Sequence, residues 1–162
     1  MGGGEFEFCF VMTIGYRESF PRRHKRAGEA IPTHFEQKIL DGTKRHTLRK
    51  FARDRYKRWA TASYIHHSVR TRTTEVRMFR VQKNPKNLQT VRLEMTEAGK
   101  IDIYITGAIL GNGHQLNDEQ RAIFIANDGF DSEQDFVEWF EWDVKRGENE
   151  YLLIHFYPNY RY

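Results

Sequence analysis

The chain is poor in cysteine. Cys9 is the only one in 162 residues. A disulfide framework or a thiolate metal site within one chain is therefore excluded, and a reducing compartment is the default. Long apolar runs are also missing: none approaches the roughly 20 residues that a membrane-crossing helix needs. No charged segment followed by an apolar one opens the chain, so no secretory signal is expected. There is no GxGxxG, no Walker loop, no HExxH and no CxxC. His66 and His67 are neighbours on an expected strand, so they point to opposite faces and do not chelate one ion together. Neither a metal nor a cofactor is expected.

What is present is aromatic and charged. Hydrophobic residues make up 39%, charged residues 30% and aromatic residues 14%. That aromatic share excludes disorder, because such rings bury large areas. The length suits one domain with a modest core and a heavily charged surface. Residues 1–5 carry no pattern and are given no functional weight.

The net charge of +4 is unevenly spread. Residues 15–58 hold 14 Lys/Arg against 5 Asp/Glu, and residues 59–100 hold 8 against 3. Residues 101–162 reverse the sign, with 4 against 12. A basic half is thus joined to an acidic half. The basic face attracts phosphate, unless the two halves neutralise each other through salt bridges.

Period-two alternation predicts a strand at 6–14, alternation with turn signals predicts strands at 62–68, 73–82, 88–96 and 100–107, and a last strand is expected over 151–157. Cys9 is expected to pack within the first of these. Thr33 with Glu36 predicts a capping box opening a helix over 33–41, with Gly42 as its stop. Residues 51–61 fit either a short helix or a loop. Asn117 caps a helix that ends at Asp128-Gly129, and Asp131 or Ser132 caps the next. The helices are grouped and do not alternate with strands, which predicts an α+β fold with a mostly antiparallel, curved or barrel-like sheet.

The segment richest in chemistry is Ile39-Leu-Asp-Gly-Thr-Lys44-Arg-His46-Thr47-Leu-Arg49. Lys44 and Thr47 are placed to face one pocket, with Arg45 and Arg49 nearby. A threonine hydroxyl needs a base within hydrogen-bond reach to act as a nucleophile. A lysine is such a base only when burial and nearby cations lower its pKa. The alternative is that Lys44 and Arg49 hold a phosphate, Thr47 caps a turn and Asp128 ends a helix.

The pattern Ile-Leu-x-Gly-x-Lys-x-x-Thr-Leu-Arg resembles the hallmark of the ASCH domain, a branch of the PUA-like superfamily. Two further stretches resemble phage and bacterial members of that family. One is Phe20-Pro-x-x-His24, Ala27-Gly28-Glu29 and Thr33-x-Phe35. The other is Ala126-Asn-Asp128-Gly129-Phe130-Asp131-Ser132 with Phe136, Trp139 and Phe140. The resemblance covers about Phe6 to Tyr157.

It implies a PUA-like β-barrel, mixed but mostly antiparallel, of about five to six strands with short helices on its sides. It also implies a cleft lined by Lys44–Arg49 that binds RNA or a modified nucleobase, in a cytoplasmic bacterial or phage setting. Some bacterial members hydrolyse N4-acetylcytidine with a lysine, a threonine three residues later and a glutamate. Lys44 and Thr47 match the first two, and the acid falls near Asp128, one methylene shorter. The candidate catalytic set is then Lys44, Thr47 and Asp128.

Candidate nucleic-acid contacts in the motif are Arg45, His46, Arg49 and Lys50. Beyond it are His24, Arg53, Arg55, Trp59 and Arg72. Trp59 and Tyr56 sit among cations, as base-stacking aromatics do; Trp59 equally suits a barrel plug. Three function classes stay open: an RNA or nucleobase binder, an amidohydrolase, and a protein-interaction adaptor working through the acidic C-terminal helices.

Overall fold

The computed structural model describes residues 9–21, 32–107 and 113–162. The fold is α+β. Among the described residues, eight strands form two sheets, and four helices accompany them.

The smaller sheet has the order β1-β3-β4. β1 (Val11–Tyr16) runs parallel to β3 (Tyr64–Val69), which pairs antiparallel with β4 (Arg77–Lys83). The larger sheet has the order β2-β8-β5-β6-β7 and is antiparallel throughout. Its strands are β2 (His46–Lys50), β5 (Leu88–Met95), β6 (Ile101–Ile105), β7 (His114–Gln115) and β8 (Glu150–His155). β8 lies between β2 and β5, so Tyr151 to Ile154 read as a continuous apolar run and all are buried. One apolar cluster joins both sheets: Ile14, Ile65 and Val69 of the small sheet pack with Leu48, Leu93 and Leu152 of the large one.

The helices are α1 (Phe35–Leu40), α2 (Arg53–Thr61), α3 (Asp118–Asn127) and α4 (Glu133–Lys145). α3 opens on a full capping box between Asn117 and Gln120, and α4 on the Ser132 hydroxyl. These side chains satisfy backbone N–H groups that the first turn leaves without partners. α4 buries Phe136, Val137, Phe140 and Val144, an i, i+1, i+4, i+8 stripe.

Several expectations are corrected. The described residues alone hold eight strands, not about five to six. β2 and β7 are the additions: the polar, basic content of 46–50 hid a strand that gains its partner, β8, from about a hundred residues away. Among the described residues, the observed pairing leaves each sheet open at its edges.

Thr33 does not cap α1. Its hydroxyl donates to the Arg17 carbonyl at 2.6 Å and its N–H to Glu18 O at 2.9 Å, while His34, at φ 54°, takes the cap position. Glu36 turns outward to Arg77, at 2.6 and 2.8 Å. β1 begins at Val11, and Cys9 is exposed just before it, not packed. Residues 73–76 do not extend β4, because Thr73 N–H closes a turn onto Arg70 O. No helix among the described residues is long and apolar enough to cross a membrane.

Candidate functional site: a cleft around Lys44

The Lys44 segment is held on three sides. Lys44 N–H donates to Lys38 O at the end of α1, and Arg45 N–H donates to Asn127 O at the end of α3. Phe156 N–H, beyond β8, donates to Arg45 O. The backbone therefore enters β2 along a fixed line, and Lys44 turns toward the C-terminal end of α3.

Asp128 is the residue that closes that helix. Lys44 Nζ donates to Asp128 Oδ1 at 2.9 Å and also to the Asp128 carbonyl. The same ammonium lies 4.6 Å from the centre of the Phe35 ring. A cation at a helix C-terminus meets the negative end of the helix dipole, and the ring face adds to the attraction. Lys44 is 2% exposed and Asp128 3%. Burial pushes the Lys44 amine below its ordinary pKa, with Asp128 opposing that and Arg49 and Lys38 adding to it. Burial alone would raise Asp128, but the charge of Lys44 and the His46 ring hold it below the usual carboxylate range.

Thr47 and Arg49 stand two residues apart on β2 and so share a face. Arg49 donates to Gly15 O at 2.7 Å and to Leu48 O at 3.1 Å, with its guanidinium 5.7 Å from the Tyr16 ring. Among the described residues its hydrogen bonds go to carbonyls, and Asp128 acts on it only through its charge. These residues border a cleft of about 660 Å³. Lys44, Thr47 and Asp128 line it together with Arg49, and Arg17 and Arg72 contribute further cations. Phe130, Trp139 and Phe140 supply apolar wall.

The turn from Arg70 to Thr73 forms another wall, with Arg70 at φ 57° and paired to Glu18 and Glu75. It approaches β1 so closely that a Cβ on Gly15 would lie 2.3 Å from Thr71 Oγ1. Behind Arg49, Tyr16 shares a 2.9 Å hydrogen bond with His67 Nδ1, and His67 Nε2 pairs with Gln82 Oε1 at 3.1 Å. Gln82 Oε1 only accepts, so Nε2 carries the ring proton and Tyr16 donates to Nδ1.

The expected site residues divide into two groups. Lys44, Thr47, Arg49, Arg72 and Asp128 come together, although 84 positions separate Lys44 from Asp128. The others do not join them. His46 is buried behind the cleft, where it reaches Asp128 and Tyr162 and presents nothing to a ligand. Trp59 is 2% exposed and belongs to the core, so it is a packing residue and not a stacking platform.

Arg45 is exposed, with its guanidinium 6.0 Å from the Tyr160 ring. Lys50 is engaged with Glu148 and Asp143, Arg55 donates to Lys50 O, and Arg53 is exposed on α2. His24 lies outside the described residues. Sequence reasoning missed Tyr16, Arg17 and the Asn127–Tyr162 contacts. Arg17 was visible only as one of many cations, and nothing local marks the others.

No family model, curated protein or solved structure matches this chain.

Proposed function

We propose that the chain is an ASCH-type, PUA-like protein whose two sheets are the halves of one barrel and whose cleft takes an RNA nucleotide or a modified nucleobase. The observation that carries the reading is Arg49: a cation in the cleft wall, anchored by carbonyls and so free in charge to meet a phosphate. The cleft volume falls in the range of small-molecule sites, and its mix of cations and aromatic wall suits a base joined to a sugar-phosphate. Salt titration of single-stranded RNA binding tests it. Affinity should fall steeply with salt, and Arg49→Ala should reduce the slope by about one. Salt-insensitive binding, or a slope unchanged in Arg49→Ala, removes the reading.

A second reading, amide hydrolysis of an N-acylated pyrimidine nucleoside, is favoured by the buried Lys44–Asp128 pair. A lysine meant only to hold phosphate gains nothing from being dry, whereas a base needs its pKa lowered. In this reading the Lys44 ammonium first loses its proton to water, a step that burial eases and Asp128 opposes; the neutral amine then takes the Thr47 proton and Oγ1 attacks the acyl carbon. The C–N bond breaks, the proton passes to the departing amine, and water then hydrolyses the acyl ester to release the acid and restore Thr47. Incubation with N4-acetylcytidine should release cytidine and acetate. Undiminished turnover by Thr47→Ala would exclude it.

A further inference from the structure

His46 is fully buried on β2, with its ring 4.7 Å from Phe124, 5.7 Å from His155 and 5.5 Å from Tyr162. Its two nitrogens face different partners. Nε2 is 2.9 Å from the Tyr162 hydroxyl. Nδ1 stands 3.6 Å from Asp128 Oδ1 and makes no closer hydrogen bond among the described residues, with the Phe124 backbone also acting on the ring. Asn127, the residue before Asp128, donates from Nδ2 to the hydroxyls of Tyr160 at 3.1 Å and Tyr162 at 2.9 Å.

These contacts have a direction. An amide NH₂ only donates, so the Tyr162 oxygen accepts from Asn127; its own proton has two acceptors within reach, the Tyr160 hydroxyl and His46 Nε2, and the imidazole nitrogen is the stronger of the two. Nε2 is then the acceptor of a neutral ring, and the ring proton sits on Nδ1, aimed at the Asp128 carboxylate. The opposite tautomer would set a lone pair against that carboxylate.

We infer that Tyr162 is a positioning residue: oriented by Asn127, its hydroxyl fixes the His46 tautomer that keeps the Asp128 carboxylate turned toward Lys44. The functional consequence rests on the hydrolytic reading of that pair; the tautomer does not. Burial lowers the His46 pKa, with Asp128 opposing and Lys44 adding, so the ring is neutral near pH 7. His155 beside it is neutral too, held down to about 3 chiefly by burial. Arg49 also feels the Asp128 charge, but among the described residues Lys44 is the cation in contact with it.

The test is ¹⁵N NMR of the histidine side chains in the ligand-free protein at neutral pH. In the wild type, His46 should show a protonated Nδ1 and an unprotonated Nε2. Tyr162→Phe keeps the ring and removes the hydroxyl, so Asp128 alone favours the Nδ1 proton and a measurable share of protonation at Nε2 should appear. Asn127→Asp keeps both tyrosines but replaces the donor by an acceptor. Tyr162 then donates to residue 127, and Nε2 should become the protonated nitrogen.

A wild-type ring protonated on Nε2, or two folded variants with the wild-type pattern, overturns the inference. If a variant fails to fold, the wild-type pattern still decides. Turnover of N4-acetylcytidine should fall about tenfold in Tyr162→Phe, the worth of one good hydrogen bond. Unchanged turnover with an altered tautomer also overturns the positioning role. Absence of turnover in the wild type removes the hydrolytic reading instead, and the tautomer result stands apart from it.

Discussion

Lys44 Nζ and Asp128 Oδ1 lie 2.9 Å apart with both side chains almost wholly withdrawn from water. Taking two charges out of water is costly, and each is tolerable here only because of the other. The pair joins the approach to β2 to the end of α3, so it is a tertiary clasp as well as a candidate reactive centre.

Removing one member should therefore destabilise strongly. Asp128→Ala leaves a buried ammonium without its carboxylate and is expected to lower the unfolding free energy by about 3–5 kcal/mol. The double variant Lys44→Met/Asp128→Leu leaves no buried charge and should recover most of that loss. Urea denaturation of the two side by side checks it, and a double variant as unstable as the single one would contradict the argument.

Acid stability should be governed by buried histidines. Burial holds His67 down to about 4, against some support from Gln82, and His155 down to about 3. Both folded values lie below the ordinary 6.5, so the unfolded chain takes up protons first as pH falls. Their contribution is complete above pH 6.5 and is lost between there and about pH 3, at roughly 1.4 kcal/mol per pH unit per histidine while both differ. Asp128, held low, loses its contribution in the same direction below about pH 3.9. Unfolding free energies measured across pH 7 to 4 should slope downward, and His155→Gln should flatten that slope.

Gly129 has two reasons to remain glycine. Its φ is 91°, and a Cβ there would meet Lys44 Cδ at 3.0 Å and Phe35 Cδ1 at 3.1 Å. Gly99, at φ 75°, has nothing within 4 Å of such a Cβ. Gly99→Ala should cost only backbone strain, about 1–2 kcal/mol. Gly129→Ala should cost more and should also displace Lys44. Thermal melts compare the two, and equal costs would show that the Lys44 side chain yields freely.

Arginines of equal charge should differ in binding. Arg72 lines the cleft, whereas Arg53 is on α2 and not among the lining residues. Arg72→Ala should weaken single-stranded RNA binding severalfold at low salt, and Arg53→Ala should change it by less than about twofold. Fluorescence anisotropy measures both, and the reverse order would move the binding surface to α2.

Local rules carried much of this fold. Asn117 and Ser132 announced two helices because capping is short-range chemistry confined to one turn. The strands β3, β5 and β6 were legible from alternation, and β8 from its apolar run. Thr33 with Glu36 misled because His34, at φ 54°, takes the cap position and leaves the Thr33 oxygen only Phe35 N–H at 3.4 Å, while Arg77, distant in sequence, takes the Glu36 carboxylate. Trp59 among four cations looked like a binding aromatic, yet α2 turns it into the core.

By itself, the sequence determined the α+β class, the charge asymmetry, and Lys44, Thr47, Arg49 and Asp128 as residues of interest. Tertiary structure alone decided that these four share one cleft, that His46 stands behind it, and that Tyr162 and Asn127 complete the buried contacts. The physical reason is range. Caps and alternation act within a few residues, whereas burial of Lys44 and its pairing with Asp128 arise only when chain segments 84 positions apart close on one another.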